Sequence, residues 1–178
     1  MNPVKKIRVF IAIDIPENIR KTIRTIQGKL PRFTGKITEF ENLHLTLKFL
    51  GHIPEETLEE VKKKLRHVKF KKFETEIDKI GMFAPRIIWL HITNCLELQK
   101  EIDEALSDLF EKERRFMGHV TIARVKDIVD RKTFLQKLGK IKIPPMLKFT
   151  IQNFKLKKSI LSRKGPIYED LETYPLGQ

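Results

Sequence analysis

The feature that most constrains the fold is an internal duplication, marked by two short His-x-Thr-x segments. Residues 44–47 (His-Leu-Thr-Leu) and residues 119–122 (His-Val-Thr-Ile) begin 75 residues apart, and each lies in a stretch of alternating apolar residues. In both copies the third extended segment begins 29 residues after the histidine, at Phe73 and at Lys148. Two copies of one folding unit, each with a histidine on a strand, are the simplest explanation.

Each half of the chain is predicted to follow the order β-α-β-α-β, from hydrophobic periodicity and the positions of proline. The first half has predicted strands over residues 7–14, 42–50 and 73–83, with helices from Pro16 to about Leu30 and from Pro54 onward. The second has strands over 86–93, 119–128 and 147–158, with helices over 95–113 and 131–139. A last extended segment, residues 166–174, has no counterpart.

This order predicts an α+β fold with mainly antiparallel sheets that flank a central cleft. No Pro-, Gly- or Ser-rich linker separates the halves, so residues 1–178 are expected to form a single bilobal domain. Its two repeats span about residues 7–83 and 86–158.

Side chains at positions i and i+2 of a strand point to the same face. His44 and Thr46 are therefore predicted to share one face, as are His119 and Thr121, and a pseudo-twofold would direct both pairs into one cleft. A neutral imidazole accepts a proton and a protonated one donates it near neutral pH, and a threonine hydroxyl can bind a phosphoryl oxygen. These groups are sufficient to open a cyclic phosphodiester with water and without a metal.

The remaining histidines do not repeat this pattern. His91 begins a third His-x-Thr segment, but the fourth residue there is polar, and the segment lies in the first strand of its half, where Ala12 is the expected counterpart. His91 is therefore at most a residue of the cleft lining. His52 and His67 are expected at the surface or at helix ends, and the single cysteine, Cys95, is expected to be structural.

The composition supports these expectations without identifying a partner. The formal net charge is +13, which favours a polyanion such as nucleic acid but is also typical of heat-adapted proteins. A single cysteine rules out a disulfide scaffold, and no apolar run is long enough to span a membrane. The N-terminal apolar stretch is too short for a signal peptide. We therefore expect a soluble, cytoplasmic protein.

Three segments resemble the bacterial and archaeal RNA 2′,3′-cyclic phosphodiesterases, first named 2′-5′ RNA ligases, of the two-histidine phosphoesterase superfamily. They are residues 8–13, 42–51 and 116–124, and residues 159–162 and 165–168 are also similar. Gly118 departs from the family, which commonly has proline there, and a glycine at this position can loosen the start of the strand without removing any catalytic group. The resemblance implies hydrolysis of a terminal 2′,3′-cyclic phosphate on RNA to a 2′-phosphate, and reversible 2′-5′ ligation, in which a 5′-hydroxyl replaces water as the nucleophile. It also implies RNA ends as partners, tRNA fragments among them, and a monomer that uses neither metal nor cofactor.

The resemblance further implies individual roles. His44 would protonate the leaving 3′-oxygen and His119 would accept the proton of the attacking water, although the near symmetry of the repeats leaves this order open from the sequence alone. Thr46 and Thr121 would hold nonbridging oxygens. Arg124 matches a phosphate-supporting arginine of the family, but simple alternation places it on the face opposite His119, so its use requires a bulge or twist in the strand.

Three further residues are candidates for substrate binding from the sequence pattern. Lys48 lies in phase with His44 and Thr46, so it is predicted to reach the phosphate or the RNA backbone, a solvated lysine being the alternative. Phe10 and Phe116 are candidates for base stacking, although phenylalanine is more often a core residue.

Two other functions stay open at this point. One is a phosphodiesterase for small cyclic nucleotides or an ADP-ribose cyclic phosphate, which would not need a basic surface. The other is an RNA-binding module without catalysis, which would not need both His-Thr pairs. A metal-dependent nuclease is disfavoured because no His/Asp/Glu cluster has the spacing of metal ligands.

Overall fold

The computed structural model describes residues 5–177, and these residues form an α+β fold as predicted. The elements, in chain order, are β1 (Lys6–Asp14), α1 (Glu17–Gln27), β2 (Thr34–Ile37), β3 (His44–Pro54), α2 (Glu55–Leu65), β4 (Phe73–Phe83), β5 (Ile87–Ile92), α3 (Leu96–Ala105), β6 (His119–Asp127), α4 (Arg131–Gly139), β7 (Lys148–Ile151), β8 (Asn153–Ser162) and β9 (Gly165–Pro175). A single 3₁₀ turn, Phe40–Asn42, precedes β3. Within the described range, none of the helices is both long and apolar enough to cross a membrane. Residues 1–4 and 178 of the predicted domain lie outside the description.

The strands form one curled sheet in the order β7-β4-β5-β6-β3-β1-β8-β9, and neighbouring strands are antiparallel. The two histidine strands, β3 and β6, lie at its centre, but their ladder is limited to the pair Leu45 and Val120. Beyond that pair, β2 occupies the edge of β6. The sheet therefore divides at its centre into two lobes, with a cleft where the histidine strands separate.

The two repeats exchange their third strands. Strand β4 of the first repeat pairs with β5 of the second, and β8 of the second repeat pairs with β1 of the first. Apart from β2, β7 and β9, each lobe thus contains two strands of one repeat and the third strand of the other. Because neither repeat completes a lobe alone, the halves are interlocked by the sheet itself.

Helices α1 and α2 form where the apolar periodicity predicts them. Ile19, Ile23 and Ile26 of α1 are buried, and so are the three apolar residues of α2, whose lysines 62–64 lie on the other side. Pro16 and Pro54 precede these helices, where the fixed φ of proline suits the start of a helix. The two helices cover the sheet with their apolar stripes, as the spacing of these residues indicates.

The elements depart from the prediction most clearly in three places, apart from β3, which runs to Pro54 where the predicted strand ended at residue 50. Helix α3 ends at Ala105 instead of residue 113, although Leu109 and Phe110 still pack against the core from a non-helical segment. The predicted strand 147–158 is interrupted at Gln152, because β7 pairs with β4 in one lobe and β8 with β1 in the other. Strand β2 was not predicted, since its four residues are all exposed and show no apolar pattern.

Candidate functional site

A cleft of about 210 Å³ lies between the two lobes, where β3 and β6 separate. It is lined by residues from both repeats, from β2 and from the β8–β9 hairpin: Arg8, Phe10, Lys36, Ile37, Thr38, Glu39, Asn42, His44, Thr46, Phe49, His119, Thr121, Arg124, Ser159, Pro166 and Tyr168. The four residues of the two His-x-Thr pairs are therefore brought together in one cleft.

Both histidines are anchored in the same way at the start of their strands. The Nδ1 atom of His44 lies 2.7 Å from the carbonyl oxygen of Asn42, and that of His119 lies 2.7 Å from the carbonyl oxygen of Met117. A carbonyl oxygen only accepts, so each Nδ1 carries a proton and donates it. Nε2 is then the nitrogen of each ring that is available for proton transfer.

The surroundings of His44 differ from those of His119. The ring of His44 packs against Phe10 and Tyr168, with centroid distances of 5.2 and 5.1 Å, and its Nε2 lies 3.1 Å from the Thr46 hydroxyl. The ring of His119 packs edge-to-face against Phe83 at 5.2 Å. Tyr168 comes from β9, which has no equivalent in the other repeat. The unmatched C-terminal hairpin therefore encloses one histidine more than the other.

Burial holds the pKa of His44 below its ordinary value, because desolvation disfavours the imidazolium. The hydrogen bond to Asn42 and the charge of Asp14 oppose this lowering of the pKa. The charges of Lys157 and Arg124 lower it further. His44 is consequently a stronger proton donor than an ordinary histidine, and its charged form is less populated at neutral pH.

A β-bulge interrupts each histidine strand at the same place. Along β3, successive residues of β1 pair with Thr46 and then with Lys48, so Leu47 is the extra residue. Along β6, successive residues of β5 pair with Thr121 and then with Ala123, so Ile122 is the extra residue. Because the bulge adds one residue, the side chains beyond it point to the opposite faces from those that regular alternation predicts. This fulfils the condition under which Arg124 can share the cleft with His119.

The bulge of β6 has its own hydrogen-bond support. The carbonyl oxygen of Ile122 accepts a hydrogen bond from the Thr38 amide at 3.0 Å and from the Gln27 side chain at 2.9 Å. Gln27 lies at the end of α1 and also donates to the Thr38 carbonyl oxygen. The carbonyl released from the ladder is therefore satisfied, which fixes the shape of the strand that carries Arg124.

The prediction for Lys48 is wrong for the same reason. The bulge turns Lys48 to the buried face, where it is 7% exposed and donates to the Asp103 carboxylate at 2.5 Å and the Glu111 carbonyl oxygen at 2.7 Å. Phe49 takes its place in the cleft. Lys48 therefore joins β3 to α3 and to the segment that leads into β6, and it makes no contact with the cleft.

The structure places the two predicted base-stacking residues, Phe10 and Phe116, in different surroundings, and neither position favours stacking on a base. Phe10 lines the cleft but is 3% exposed, so it supports the rings of His44 and Tyr168 and offers little face to a base. Phe116 packs against the core and is not among the lining residues. Base stacking by Phe116 is therefore not supported by its position.

His91 is also outside the cleft lining, and its expected counterpart was wrong. Its Nδ1 lies 2.6 Å from the Asp78 carboxylate. In the sheet His91 pairs with His119 as Asp14 pairs with His44, so Asp14, and not Ala12, is its equivalent. The first strands of the two repeats therefore do not align by their predicted ends, which is how Ala12 was assigned.

Gly118 is required by the close packing before His119. A Cβ atom at this position would lie 2.6 Å from the Ile92 carbonyl oxygen, and the Gly118 carbonyl oxygen accepts a hydrogen bond from the Ile92 amide at 2.8 Å. The start of the strand is therefore held by close packing and by a backbone hydrogen bond.

Besides the predicted Arg124, the cleft contains cations and aromatic residues that the sequence did not mark: Arg8, Lys36, Phe49 and Tyr168. Arg8 and Arg124 have no ion-pair partner among residues 5–177, whereas Lys36 pairs with Glu39 and donates to the Lys164 carbonyl oxygen. Arg8 and Phe10 are two residues apart on β1 and therefore share a face, so the prediction for Phe10 could have indicated that Arg8 also points to the cleft. Phe49 could not be found, since regular alternation points it inward, and Tyr168 gave no signal beyond its place in the similar C-terminal segment.

Within the described part of the chain, no three His, Cys, Asp or Glu side chains are grouped closely enough to hold a metal ion. The cleft instead presents two imidazoles, two threonine hydroxyls and two guanidinium groups from Arg8 and Arg124. Such a set can bind an anionic phosphoryl group and move protons at its oxygens.

An antiparallel, duplicated sheet that brings one His-x-Thr strand from each repeat to a shared cleft defines a phosphoesterase of the two-histidine class. Comparison with known proteins agrees. The chain belongs to the LigT-like phosphoesterase family, whose sequence model matches residues 13–89 and again residues 92–168, in keeping with the two repeats.

Named relatives extend over nearly the whole chain. The RNA 2′,3′-cyclic phosphodiesterase of Methanocaldococcus jannaschii is 39% identical over 174 residues, with 94% of this chain and 99% of that protein covered. The protein of the same name from Archaeoglobus fulgidus is 34% identical, with the same shares covered. The crystal structure of apo Escherichia coli LigT has a TM-score of 0.81 at 21% identity, covering 98% of this chain and 99% of that one, so the fold is shared.

Proposed function

We propose that this enzyme hydrolyses the terminal 2′,3′-cyclic phosphate of RNA to a 2′-phosphate. The observation that carries the proposal is the pair of histidines, each anchored through Nδ1 and each beside a threonine. They line one cleft with Arg8 and Arg124, which have no ion-pair partner among residues 5–177. The names of the relatives from M. jannaschii and A. fulgidus support the same substrate.

In the proposed reaction, water attacks the phosphorus atom as the bond to the 3′-oxygen breaks. Nε2 of His119 accepts the proton of the water, and Nε2–H of His44 donates a proton to the leaving 3′-oxygen. The products are a 2′-phosphate and a 3′-hydroxyl, and the two histidines exchange protonation states. Solvent then returns both to their starting forms.

The lowered pKa of His44 is compatible with its role as the acid. An imidazolium of low pKa transfers its proton readily, and a bound anionic phosphate offsets the charges of Lys157 and Arg124 that disfavour the protonated form. The enclosed position of His44 strengthens this attraction, since little water screens it.

Thr46 and Thr121 are proposed to donate hydrogen bonds to the nonbridging oxygens, and Arg124 to neutralise their charge. Such contacts contribute to catalysis when they strengthen as negative charge develops on the phosphoryl group. With a 5′-hydroxyl in place of water as the nucleophile, the same steps would form a 2′-5′ linkage without ATP, because the strained cyclic phosphate supplies the driving force. Ligation stays a prediction.

The test is an RNA oligonucleotide that ends in a 2′,3′-cyclic phosphate, incubated with the protein in EDTA and analysed for the position of the product phosphate. We expect a 2′-phosphate with the wild type and no product with a doubly substituted His44→Asn, His119→Asn variant. Loss of activity in EDTA, or a 3′-phosphate product, would contradict the proposal.

Salt dependence separates RNA from a small cyclic nucleotide as the substrate. If the chain's +13 charge guides RNA, the apparent affinity for the oligonucleotide should fall steeply with salt, whereas a flat response would favour a small nucleotide. The monomeric state, the cytoplasmic location and tRNA fragments as substrates stay predictions, which ultracentrifugation, cell fractionation and sequencing of bound RNA can check.

A further inference from the structure

The side chain of Asn42 holds the β8–β9 hairpin against the turn that precedes β3. Its amide nitrogen donates to the Pro166 carbonyl oxygen at 3.0 Å and to the Glu39 carboxylate at 3.3 Å. The two hydrogens of this amide are therefore both used, one on the hairpin and one within the turn. Asn42 thus joins the hairpin to the turn through a side chain to which the proposed reaction assigns no role.

A second contact holds the same hairpin through Lys36. Lys36 donates to the Lys164 carbonyl oxygen at 2.7 Å and pairs with the Glu39 carboxylate. Glu39 therefore orients both of the side chains that hold the hairpin, Asn42 and Lys36. Because the two carbonyl groups belong to residues 164 and 166, the contacts restrain the tip of the hairpin.

The backbone of Asn42 anchors the ring of His44. The Asn42 carbonyl oxygen accepts the hydrogen bond from His44 Nδ1 at 2.7 Å, and the Asn42 amide donates to the Glu39 carbonyl oxygen at 3.0 Å. One residue therefore contacts the proposed general acid through its backbone and the hairpin through its side chain. A shift of Asn42 would move the acceptor that sets the orientation of the His44 ring.

The hairpin also contacts His44 directly. Tyr168 follows Pro166 by two residues on β9, and the centroid of its ring lies 5.1 Å from that of His44. The contacts form a closed loop: they run from the Asn42 side chain to Pro166, along β9 to Tyr168, onto the His44 ring, and through Nδ1 back to the Asn42 carbonyl oxygen. His44 is therefore held between two parts of the protein that Asn42 joins.

In the described part of the chain, the second repeat lacks this arrangement. Met117 is the residue two positions before His119, and its carbonyl oxygen anchors that ring, but a thioether donates no hydrogen bond. Strand β9 also has no counterpart in the other lobe. The side-chain contact of Asn42 therefore belongs only to the histidine that is proposed to donate a proton.

We propose that Asn42 is a positioning residue for the general acid, since its side chain holds the hairpin and the His44 ring in one arrangement, with Nε2 directed at the leaving 3′-oxygen. Asn42 itself transfers no proton. Proton transfer requires the donor within hydrogen-bond reach of the acceptor, so a small displacement of the ring slows it. This inference rests on the proposed function, since it assumes that His44 donates the proton.

The test compares two leaving groups in the Asn42→Ala variant. One substrate is adenosine 2′,3′-cyclic phosphate, and the other has sulfur in place of its bridging 3′-oxygen, so that a thiolate leaves without a general acid. We expect Asn42→Ala to lower kcat about tenfold on the oxygen substrate, with KM within about twofold, and to keep the wild-type kcat on the sulfur substrate. An equal loss on both substrates, or no loss on the oxygen substrate, overturns the proposal.

Asn94→Gly is the matched control for the loss of an asparagine contact. Asn94 also donates its side-chain amide to a backbone carbonyl oxygen, that of Glu74 at 3.2 Å, but it is not among the cleft residues. Its φ of 60° is one that glycine adopts without strain. We expect this variant to keep the wild-type kcat on both substrates. A loss confined to the oxygen substrate in this variant as well would contradict a specific role of Asn42.

Nuclear magnetic resonance gives a readout that is independent of catalysis. At high pH, where both imidazoles are neutral, the chemical shifts of the ring nitrogens report which nitrogen carries the proton. Both histidines of the wild type should carry it on Nδ1, and in Asn42→Ala His44 should become a mixture of tautomers while His119 is unchanged. An unchanged His44 contradicts the positioning role alone. If the wild type hydrolyses no cyclic phosphate, the proposed function fails, and the tautomers still show whether Asn42 orients His44.

Discussion

The two histidine strands, β3 and β6, have the same local arrangement, but the residues around each histidine differ. In β3 and β6 the histidine is anchored to the backbone two residues before it, a threonine follows, and a bulge reverses the alternation at the same place. Duplication therefore explains how two proton-transfer groups come to face one another across a cleft. It does not explain why they would act differently.

The differences arise at the positions that the repeats do not share. His44 is enclosed by Tyr168 from β9 and is bonded to Thr46, whereas His119 packs against Phe83. After the bulge, β3 carries Lys48 and Phe49, and β6 carries Ala123 and Arg124. The comparison teaches that the duplication accounts for the pair, and that the residues the repeats do not share give each histidine its own environment.

The largest effect is expected from removing either histidine. His44→Ala and His119→Ala should each lower kcat at least about 100-fold, because each loses one proton transfer of the reaction. The measurement is single-turnover hydrolysis of cyclic-phosphate RNA, with His67→Ala, an exposed histidine at a helix end, as the matched control. Wild-type activity in either single variant would show that the strands are not partners in the reaction.

Substitution of Lys48 is expected to lower the free energy of unfolding by an amount comparable to the free-energy equivalent of the kcat loss at either histidine. Lys48→Met leaves Asp103 buried without its cation, which should lower the free energy of unfolding by about 3 kcal/mol in urea denaturation. Lys48→Met combined with Asp103→Leu should recover much of this loss. If the Lys48→Met variant instead has the free energy of unfolding of the wild type and a raised KM, Lys48 contacts the substrate, as the alternation predicts.

The same ion pair gives a stability difference with a defined pH direction. Burial alone would raise the pKa of Asp103, but hydrogen bonds from Lys48, Gln99 and the Glu113 amide hold it below its ordinary value. The stabilisation is therefore complete above the ordinary aspartate pKa and is lost as pH falls toward the lowered folded-state value. Lys48→Met should reduce this acid-side loss of stability.

A smaller effect is expected at the threonines. Thr46→Val and Thr121→Val keep the side-chain shape and remove the hydroxyl, and each should lower kcat about tenfold or more. The loss should be larger for Thr46→Val, since Thr46 also bonds His44. Thr→Ser at either position is the control that keeps the hydroxyl. Equal activity of the valine variants and the wild type would mean that neither hydroxyl binds the phosphoryl group.

The smallest effect is a shift in pH dependence. The pH–rate profile should be bell-shaped, with apparent pKa values that belong to the histidine pair. Tyr168→Leu opens His44 to water and removes part of the burial that lowers its pKa, so one limb of the profile should move to higher pH. Ile167→Ala, at the exposed neighbouring position, should leave the profile unchanged. A shift to lower pH with Tyr168→Leu would contradict the role of burial.

The features that the two histidine strands share could be predicted from the sequence better than the features in which they differ. Alternation around His44 and His119 and the matched spacing of the repeats were enough to predict the fold class, the cleft and its four central side chains. Lys48 was placed wrongly and Phe49 was not predicted as a cleft residue, because a bulge depends on neighbouring strands and leaves no local pattern. The break at Gln152 was missed for a similar reason, since it comes from pairing with two different lobes.

The most direct test of the account asks whether the two histidines have different proton roles. A substrate in which sulfur replaces the bridging 3′-oxygen has a leaving group that departs as thiolate and needs no general acid. On this substrate His44→Ala should regain most of the rate that it loses on the oxygen substrate, and His119→Ala should keep its full deficit. Rescue of His119→Ala instead, or of neither variant, would contradict the assignment of His44 as acid and His119 as base.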